Sequence, residues 1–282
     1  MPPNSRRSET RIGTCKLTRR PGQFVKSHLL PEALTRPSKP GAPLYQYGEG
    51  PIPTRRWTSW YDTALVTADG EGFLSDLDDW AIRMLRKEKL IWSGWGSGKR
   101  LEAEVSLITG TVGARLVSNI DTRRLRLFFH SLLWRAAATE RSEFSEVSLC
   151  SDDLERLRLA ILGEEDLPLS FFPIQLTQLS TKGVIHNQTP IQDTKYIPNP
   201  LIPGATLALP TYRFYIDGLI AHVHRVLPLG FSAESLGNLI LGANGSVLIS
   251  AVTYEDSKQS LDLEATKAAY GISEPPDFPV DA

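Results

Sequence analysis

The sequence of 282 residues predicts an α+β protein: short strands and a helix come first, then further helices, then a mostly antiparallel β region. Three observations predict this class. Apolar residues recur at helical spacing over residues 73–84. A second apolar stripe over 121–139 follows an Asp-Thr pair that can cap a helix. Residues 211–226, TYRFYIDGLIAHVHRV, read as two strands around the two-residue turn Asp217-Gly218.

The chain begins with a basic segment, and residues 1–13 are predicted to be a disordered arm. Residues 1–39 carry nine Lys and Arg against Glu9 and Glu32. Residues 1–100 hold 17 basic and 10 acidic residues, whereas the remainder holds 14 and 22. Such an arm either binds nucleic-acid phosphates or is a solvated tail, and composition leaves both open.

Residues 14–98 are predicted to form one unit of strands and a helix. Two short strands over 14–30 flank a turn at residues 19–22, and a loop rich in Pro and Gly covers 35–54. The helix that follows has early acidic and late basic residues, which complements the helix dipole. Its predicted buried stripe is Phe73, Leu77, Trp80 and Met84.

Three further regions follow that unit. Residues 99–165 are predicted to be mainly helical, 166–260 β-rich, and 261–282 a fraying tail. In the helical region a capping box of Asp152 and Glu155 is expected to open a second helix. The longer first helix has a predicted buried face of Leu125, Phe129, Leu132 and Ala136.

Composition places the chain among ordinary globular proteins, since 41% of residues are hydrophobic and 22% charged. No apolar stretch is long enough to cross a bilayer, and the N-terminus lacks the apolar segment of a secretory signal. Cys15 and Cys150 are too few for a disulfide framework. A cytoplasmic protein without a membrane partner is therefore expected.

Two tempting motifs carry little weight. Residues 94–99, GWGSGK, resemble a phosphate loop, but the first Gly is misplaced and Arg100 stands where a Ser or Thr is required. His222 and His224 share one face of a strand, yet no third ligand stands at a readable spacing. A structural or solvent-facing histidine pair is the simpler interpretation.

An ordered set of short runs is more informative. The runs are CKLT at 15–18, SHLLP at 27–31 and LVTADGE at 65–71, directly before the helix. This order resembles the HNH endonuclease superfamily, a treble-clef or ββα-metal fold, over roughly residues 14–85. Members typically show a Cys-x-x-Cys knuckle, a strand reading Asp-His or Ser-His before Ile-Ile-Pro, and a second knuckle followed at once by His, Asn or Glu.

The resemblance implies a treble-clef-like ββα unit and a metal-dependent nuclease that hydrolyses phosphodiester bonds. His28 would be the general base. Glu71, with Asp69 and Ser27, would bind magnesium or manganese. Thr18, Thr67 and Gly70 stand at knuckle positions that are Cys in the family, so no structural zinc is expected beside Cys15.

The implied substrate is nucleic acid, with DNA favoured over RNA. The expected phosphate-binding residues are basic: Arg19, Arg20, Lys26, Arg55 and Arg56. Residues 166–260 are a possible surface for a protein partner. The alternative is a catalytically inactive HNH-like module that binds nucleic acid or a protein, in which His28 only hydrogen-bonds within the scaffold and Glu71 only favours the helix N-terminus.

Overall fold

The computed structural model describes residues 11–35, 44–47, 54–56, 59–103, 105–110, 112–198, 203–227 and 232–269. Residues 44–47 and 54–56, with Leu107 and Pro198, are described in their backbone only. The α+β class is confirmed, because these residues form four α-helices and a seven-stranded, mostly antiparallel sheet. No helix among them is long and apolar enough to cross a membrane.

The elements are numbered in chain order. The helices are α1 (Ala68–Lys87), α2 (Thr122–Ala138), α3 (Ser151–Ile161) and α4 (Lys258–Ala269). The first six strands are β1 (Ile12–Thr14), β2 (Pro21–Gln23), β3 (Ser27–His28), β4 (Leu44–Tyr47), β5 (Thr54–Arg56) and β6 (Tyr61–Asp62). The others are β7 (Ser106–Thr109), β8 (Val112–Ser118), β9 (Ile174–Leu179), β10 (Asn187–Gln188), β11 (Ile191–Pro198), β12 (Thr206–Ile216), β13 (Leu219–His224) and β14 (Ser246–Val252).

The N-terminal strands form three small sheets. β1 and β2 make an antiparallel hairpin, but β1 begins at Ile12, inside the predicted disordered arm, and β2 begins at Pro21, inside the predicted turn. β3 pairs antiparallel with β6. β4 pairs antiparallel with β5 and parallel with β10. The β3–β6 pair is extended by a bond from the Leu29 amide to the Trp60 carbonyl, at 2.9 Å. These pairings bring the chain before the long loop against the chain after it.

The predicted stripe of α1 is wrong in its first member. Phe73 is 47% exposed, and the buried positions include Gly70, Leu74, Leu77 and Ala81. Positions 70, 74, 77 and 81 recur at helical spacing, so the buried face begins at Gly70 in the first turn of α1. Because Gly70 packs closely on Cys15, as described below, Phe73 is rotated towards solvent.

α2 matches its prediction. Asp121 caps it, with its carboxylate accepting from the Arg124 amide at 2.9 Å. The four predicted core residues of this helix are all buried. α3 differs at its cap: the residue before its first turn is Cys150, whose Sγ accepts from the Asp153 amide at 3.4 Å, so Asp152 lies inside the helix.

The large sheet has the strand order β11-β12-β13-β9-β14-β8-β7. Every neighbouring pair is antiparallel except β14 with β9. The predicted hairpin is confirmed as β12–β13, and the predicted strand over 246–252 is confirmed as β14. β7 and β8, which precede α2 in the chain, also join this sheet. α4 occupies the start of the predicted tail, and residues 270–282 lie outside the described part.

The hairpin turn also joins the sheet to the N-terminal part. The Asp217 carbonyl accepts from the Trp92 amide at 2.9 Å, and its carboxylate accepts from the Ser93 amide at 3.0 Å. A Cβ on Gly218 would lie 2.3 Å from Trp92, and Gly218 has a φ of +84°. Only glycine satisfies both the turn and this close approach. One face of the sheet and both long helices share a single hydrophobic core.

Candidate functional site

Four residues at the base of α1 converge on one point, and we call them the knuckle cluster: Cys15, Thr18, Thr67 and Gly70. Cys15 is fully buried, and its Sγ accepts from the Thr18 amide at 3.3 Å. Burial raises the pKa of the Cys15 thiol, but the hydroxyls and amides of Thr18 and Thr67 outweigh it and hold that pKa below the ordinary value. A Cβ on Gly70 would lie 2.6 Å from Cys15 Sγ.

Backbone bonds hold the knuckle cluster together. The Lys16 amide donates to the Leu65 carbonyl at 2.9 Å, and the Val25 amide donates to the Val66 carbonyl at 3.2 Å. The turn after β1 is thereby tied to the segment that opens α1. As a result, β3 and the first turn of α1 are fixed relative to one another.

Ser27 and His28 occupy the short strand β3. Successive residues of a strand point to opposite faces, so their side chains leave the strand on different sides. Ser27 is fully buried, and its hydroxyl lies close enough to Glu71 to lower the pKa of that carboxyl. His28 is partly buried, with its ring 6.4 Å from the Tyr61 ring and Nε2 3.8 Å from Glu32 Oε2.

Three polar atoms at this place are buried without a hydrogen-bonding partner: Ser27 Oγ, His28 Nε2 and Glu71 Oε2. Ser27 and Glu71 are close, but no bond between them has hydrogen-bonding geometry. Buried polar atoms are almost always satisfied in folded proteins, so these three are notable. Ser27 and Glu71 lie together, whereas the His28 side chain leaves β3 on the other side. Their chemistry is that of one hydroxyl, one imidazole nitrogen and one carboxylate oxygen.

A buried ion pair that sequence reasoning missed lies beside these atoms. Arg135, only 1% exposed, meets Asp78 through two bonds, Nη1 to Oδ2 at 2.9 Å and Nη2 to Oδ1 at 2.5 Å. Its Nη1 also donates to the His28 carbonyl at 3.0 Å. Two features of the sequence could have indicated this pair. Asp78 follows Glu71 by seven residues on one helix face, and Arg135 interrupts the apolar run LLWRAAA.

We call Ser27, His28, Glu71, Asp78 and Arg135 the N-terminal cluster. Burial lowers the pKa of His28, and Lys26 lowers it further against the opposing effect of Glu32. Burial raises the pKa of Glu71, against Ser27 and Arg135. Asp78 and Arg135 influence both pKa values, so both groups lie within reach of the same ion pair. Two carboxylates face one guanidinium here, and His28 is a neutral base at pH 7.

The remaining predicted metal ligand does not join this cluster. Asp69 is exposed, and at 100° per residue it lies about 200° around α1 from Glu71, on another face of the helix. In the described part of the chain, no three His, Cys, Asp or Glu are grouped so that they could hold a metal ion. His222 and His224 therefore gain no third ligand of these types there.

The structure describes the side chains of three of the five predicted phosphate-binding residues. Arg19, Arg20 and Lys26 are exposed; Arg19 pairs with Glu155 at 3.1 Å, and the Lys26 ammonium lies 4.4 Å from the Tyr61 ring centre. Arg55 and Arg56 lie in β5 opposite β4, and their side chains fall outside the description. Residues 1–10 of the predicted arm also lie outside the described residues.

The comparisons with known proteins are negative. No family model matches this chain, no curated protein is significantly similar to it, and no solved structure matches it.

Proposed function

We propose that the chain is an HNH-like, metal-dependent nuclease that hydrolyses phosphodiester bonds of nucleic acid, DNA in preference to RNA, with His28 as general base. One observation carries the proposal. Ser27 Oγ and Glu71 Oε2 are buried without partners where β3 meets the start of α1, and His28 Nε2, also without a partner, lies on the other side of β3. These are the positions that the HNH resemblance assigns to the active site.

The knuckle cluster supports the same resemblance. Residues 15, 18, 67 and 70 are the positions of the two HNH knuckles, and the other three surround the Cys15 sulfur. The Cys15 thiol and the hydroxyls of Thr18 and Thr67 fill this space. The lack of a side chain at Gly70 leaves room for the sulfur. This arrangement supports a treble-clef-like unit in which packing replaces zinc.

His28 has the properties of a general base. Its lowered pKa leaves Nε2 free to accept a proton at neutral pH, and proton transfer from water is what phosphodiester hydrolysis requires. Arg135 is a positioning residue, because its bond to the His28 carbonyl fixes the strand that presents the imidazole.

The N-terminal cluster fits a hard divalent cation. The Glu71 carboxylate and the Ser27 hydroxyl would hold magnesium or manganese, which usually keeps several waters and needs few protein oxygens. The excess carboxylate of the cluster favours a cation. When bound, such an ion stabilises negative charge on the phosphate oxygens. Exposed Arg20 and Lys26 are the candidates for contacting the nucleic-acid backbone.

A second candidate is an inactive HNH-like module that binds nucleic acid or a protein. The Asp78–Arg135 pair favours it, since a buried guanidinium near Glu71 already supplies a positive charge. Ser27 is also a weaker ligand for a hard cation than the acidic residue usual at this position in the family.

The deciding experiment is a cleavage assay on DNA and RNA with magnesium or manganese. His28→Ala should lower the rate by about 100- to 10,000-fold while the protein stays folded. Glu71→Gln should also lose activity. Asp69→Asn is the matched control, because it removes an exposed carboxylate from the same helical turn and should leave the rate unchanged.

Three results distinguish the nuclease from the inactive module. Loss in both site variants but not in the control supports the nuclease. Binding of nucleic acid without metal-dependent cleavage above the His28→Ala protein supports the inactive module. A folded protein that neither binds nor cleaves nucleic acid contradicts the nuclease and the nucleic-acid-binding module, and leaves an inactive module that binds a protein.

The family resemblance has a separate test. Replacing Thr18, Thr67 and Gly70 by Cys together restores four thiols around the position of Cys15. This variant should bind one zinc per chain by elemental analysis, whereas the natural chain should carry none in stoichiometric amount. Adding Cys15→Ala to the triple variant is the control and should weaken zinc binding. A folded triple variant without zinc would contradict the treble-clef arrangement.

A further inference from the structure

A second buried polar cluster lies on the face of the large sheet that points away from the main core. We call it the sheet cluster: Gln175, Lys195, Arg213, His222 and His224. Its members sit on β9, β11, β12 and β13. The register places His222 between Gln175 and Arg213, and sets His224 opposite Thr211, which in turn faces Asp193. Both histidines are buried, so the pair does not face solvent.

One amide oxygen joins two of these groups. Gln175 Oε1 accepts from Lys195 Nζ at 3.1 Å and lies 3.1 Å from His224 Nε2, which carries its proton towards that oxygen. Lys195 extends from β11 across the sheet to reach β9. Its ammonium therefore lies over the histidine strand, with a neutral amide as its recorded partner.

The charges of the cluster do not balance. Arg213 pairs with Asp262 and lies 3.2 Å from Asp193, and Lys258 also pairs with Asp193. Both carboxylates are therefore engaged, by Arg213 and by the half-exposed Lys258, and Lys195 is the cation of the cluster left with only an amide oxygen. Burying a cation against an amide alone is unfavourable unless a counter-charge is supplied.

Several donors and ring nitrogens of the cluster are also unsatisfied. His222 Nδ1, His224 Nδ1 and Arg213 Nε are buried without a hydrogen-bonding partner. The three residues are 9%, 0% and 2% exposed. Orphaned groups of this kind, beside an excess positive charge, are the complement of an oxyanion with several acceptor oxygens.

We propose that the sheet cluster binds a phosphate group, with Lys195, His222 and Arg213 donating to its oxygens. A neutral imidazole carries one N–H, so His222 can donate from its unpartnered Nδ1 without taking up a second proton. The phosphate is either the free ion or a terminal phosphate of a nucleotide chain. This proposal stands independently of the nuclease proposal, because it uses other residues on another face.

The surrounding charges argue against a metal cation here. Burial lowers the pKa of His222 well below its ordinary value, and Lys195, His224, Arg213 and Lys258 lower it further. The same field that disfavours an imidazolium disfavours a divalent metal. Asp193 and Asp262, the opposing charges, are already engaged by Arg213 and Lys258.

The test titrates the full chain with inorganic phosphate and follows the histidine ring resonances by NMR. The chain has five histidines, and we expect His222 and His224 to shift selectively. Lys195→Met should weaken phosphate binding by about tenfold or more, since a charge-assisted bond is lost. Lys99→Met, which removes an exposed lysine, is the control and should bind as the natural chain does.

A second arm identifies the source of the phosphate. An oligonucleotide with a 5′-phosphate is compared with the same sequence lacking it, using the same two resonances. Selective shifts with the phosphorylated strand support a terminal nucleotide phosphate, and shifts with inorganic phosphate alone support the free ion. The proposal is overturned if neither probe moves these resonances, or if Lys195→Met binds phosphate as well as Lys99→Met does.

Discussion

The N-terminal cluster and the sheet cluster both bury charged groups, but their charge balance is opposite. In the first, two carboxylates surround Arg135, which satisfies one of them with two bonds. In the second, Lys195 bonds to an amide oxygen, and both nearby carboxylates are already paired with Arg213 or Lys258. Burial of charged groups alone therefore does not define a binding site. What remains after pairing is a carboxylate in one case and an ammonium in the other, and these suit a cation and an anion respectively.

The largest effect is expected from removing the paired cation of the N-terminal cluster. Arg135→Met leaves the Asp78 carboxylate mostly buried and unpaired, and it frees the His28 carbonyl. We expect the free energy of unfolding to fall by about 3 to 5 kcal/mol, measured by urea denaturation. Arg83→Met, which removes an exposed arginine of α1, is the control and should change little. Equal effects in the two variants would contradict the assigned role of the ion pair.

Lys195→Met should raise the free energy of unfolding, whereas Arg135→Met should lower it. The pKa of Lys195 is lowered to about 8 by burial, so charging it costs stability at neutral pH. Without phosphate, the variant should be more stable than the natural chain by about 1 to 2 kcal/mol at pH 7. Between pH 8 and the ordinary lysine pKa of 10.5, the unfolded chain binds more protons, so the natural chain gains stability and the difference shrinks.

A loss of stability in Lys195→Met at pH 7 would contradict the uncompensated charge assigned to Lys195. It would mean that the ammonium is as well compensated as Arg135. Added phosphate should stabilise the natural chain more than it stabilises Lys195→Met, because the variant binds phosphate more weakly.

The two clusters also differ in how far the sequence could predict them. The α+β class, the cap at Asp121 and the hairpin at Asp217-Gly218 follow from local patterns, and the structure confirms them. The nearness of Ser27 to Glu71 was expected only from the resemblance to the HNH superfamily. Arg135 and Lys195 could not be found this way, because their partners lie 57 and 20 residues away and depend on how helices and strands pack. Phe73 was misplaced for the same reason, since the close contact of Gly70 with Cys15 sets the rotation of α1.

A smaller effect is expected in the knuckle cluster that supports the first site. Gly70→Ala places a Cβ against the buried Cys15 sulfur and 3.0 Å from Val66, so we expect a loss of about 1 to 2 kcal/mol. Gly72→Ala is the matched control in the same helix, with nothing within 4 Å of its Cβ, and should gain about 0.5 to 1 kcal/mol. Adding Cys15→Ala should rescue Gly70→Ala in part, and absence of rescue would show that the sulfur is not what limits the space.

The smallest expected effect concerns the carboxylate left over in the N-terminal cluster. Burial raises the pKa of Glu71, so ionising it costs stability in the folded state. The natural chain should therefore lose stability as the pH rises through that raised value, and Glu71→Gln should be more stable by about 1 kcal/mol at pH 7. Below pH 4 the carboxyl is protonated in both states and the difference should vanish. Urea denaturation at several pH values measures this, with Asp69→Asn as the exposed control. Magnesium should reduce the difference in stability between the two proteins, because it should stabilise only the natural chain. If Glu71→Gln is instead less stable than the natural chain at pH 7, the carboxylate is already compensated and has no charge left for a cation.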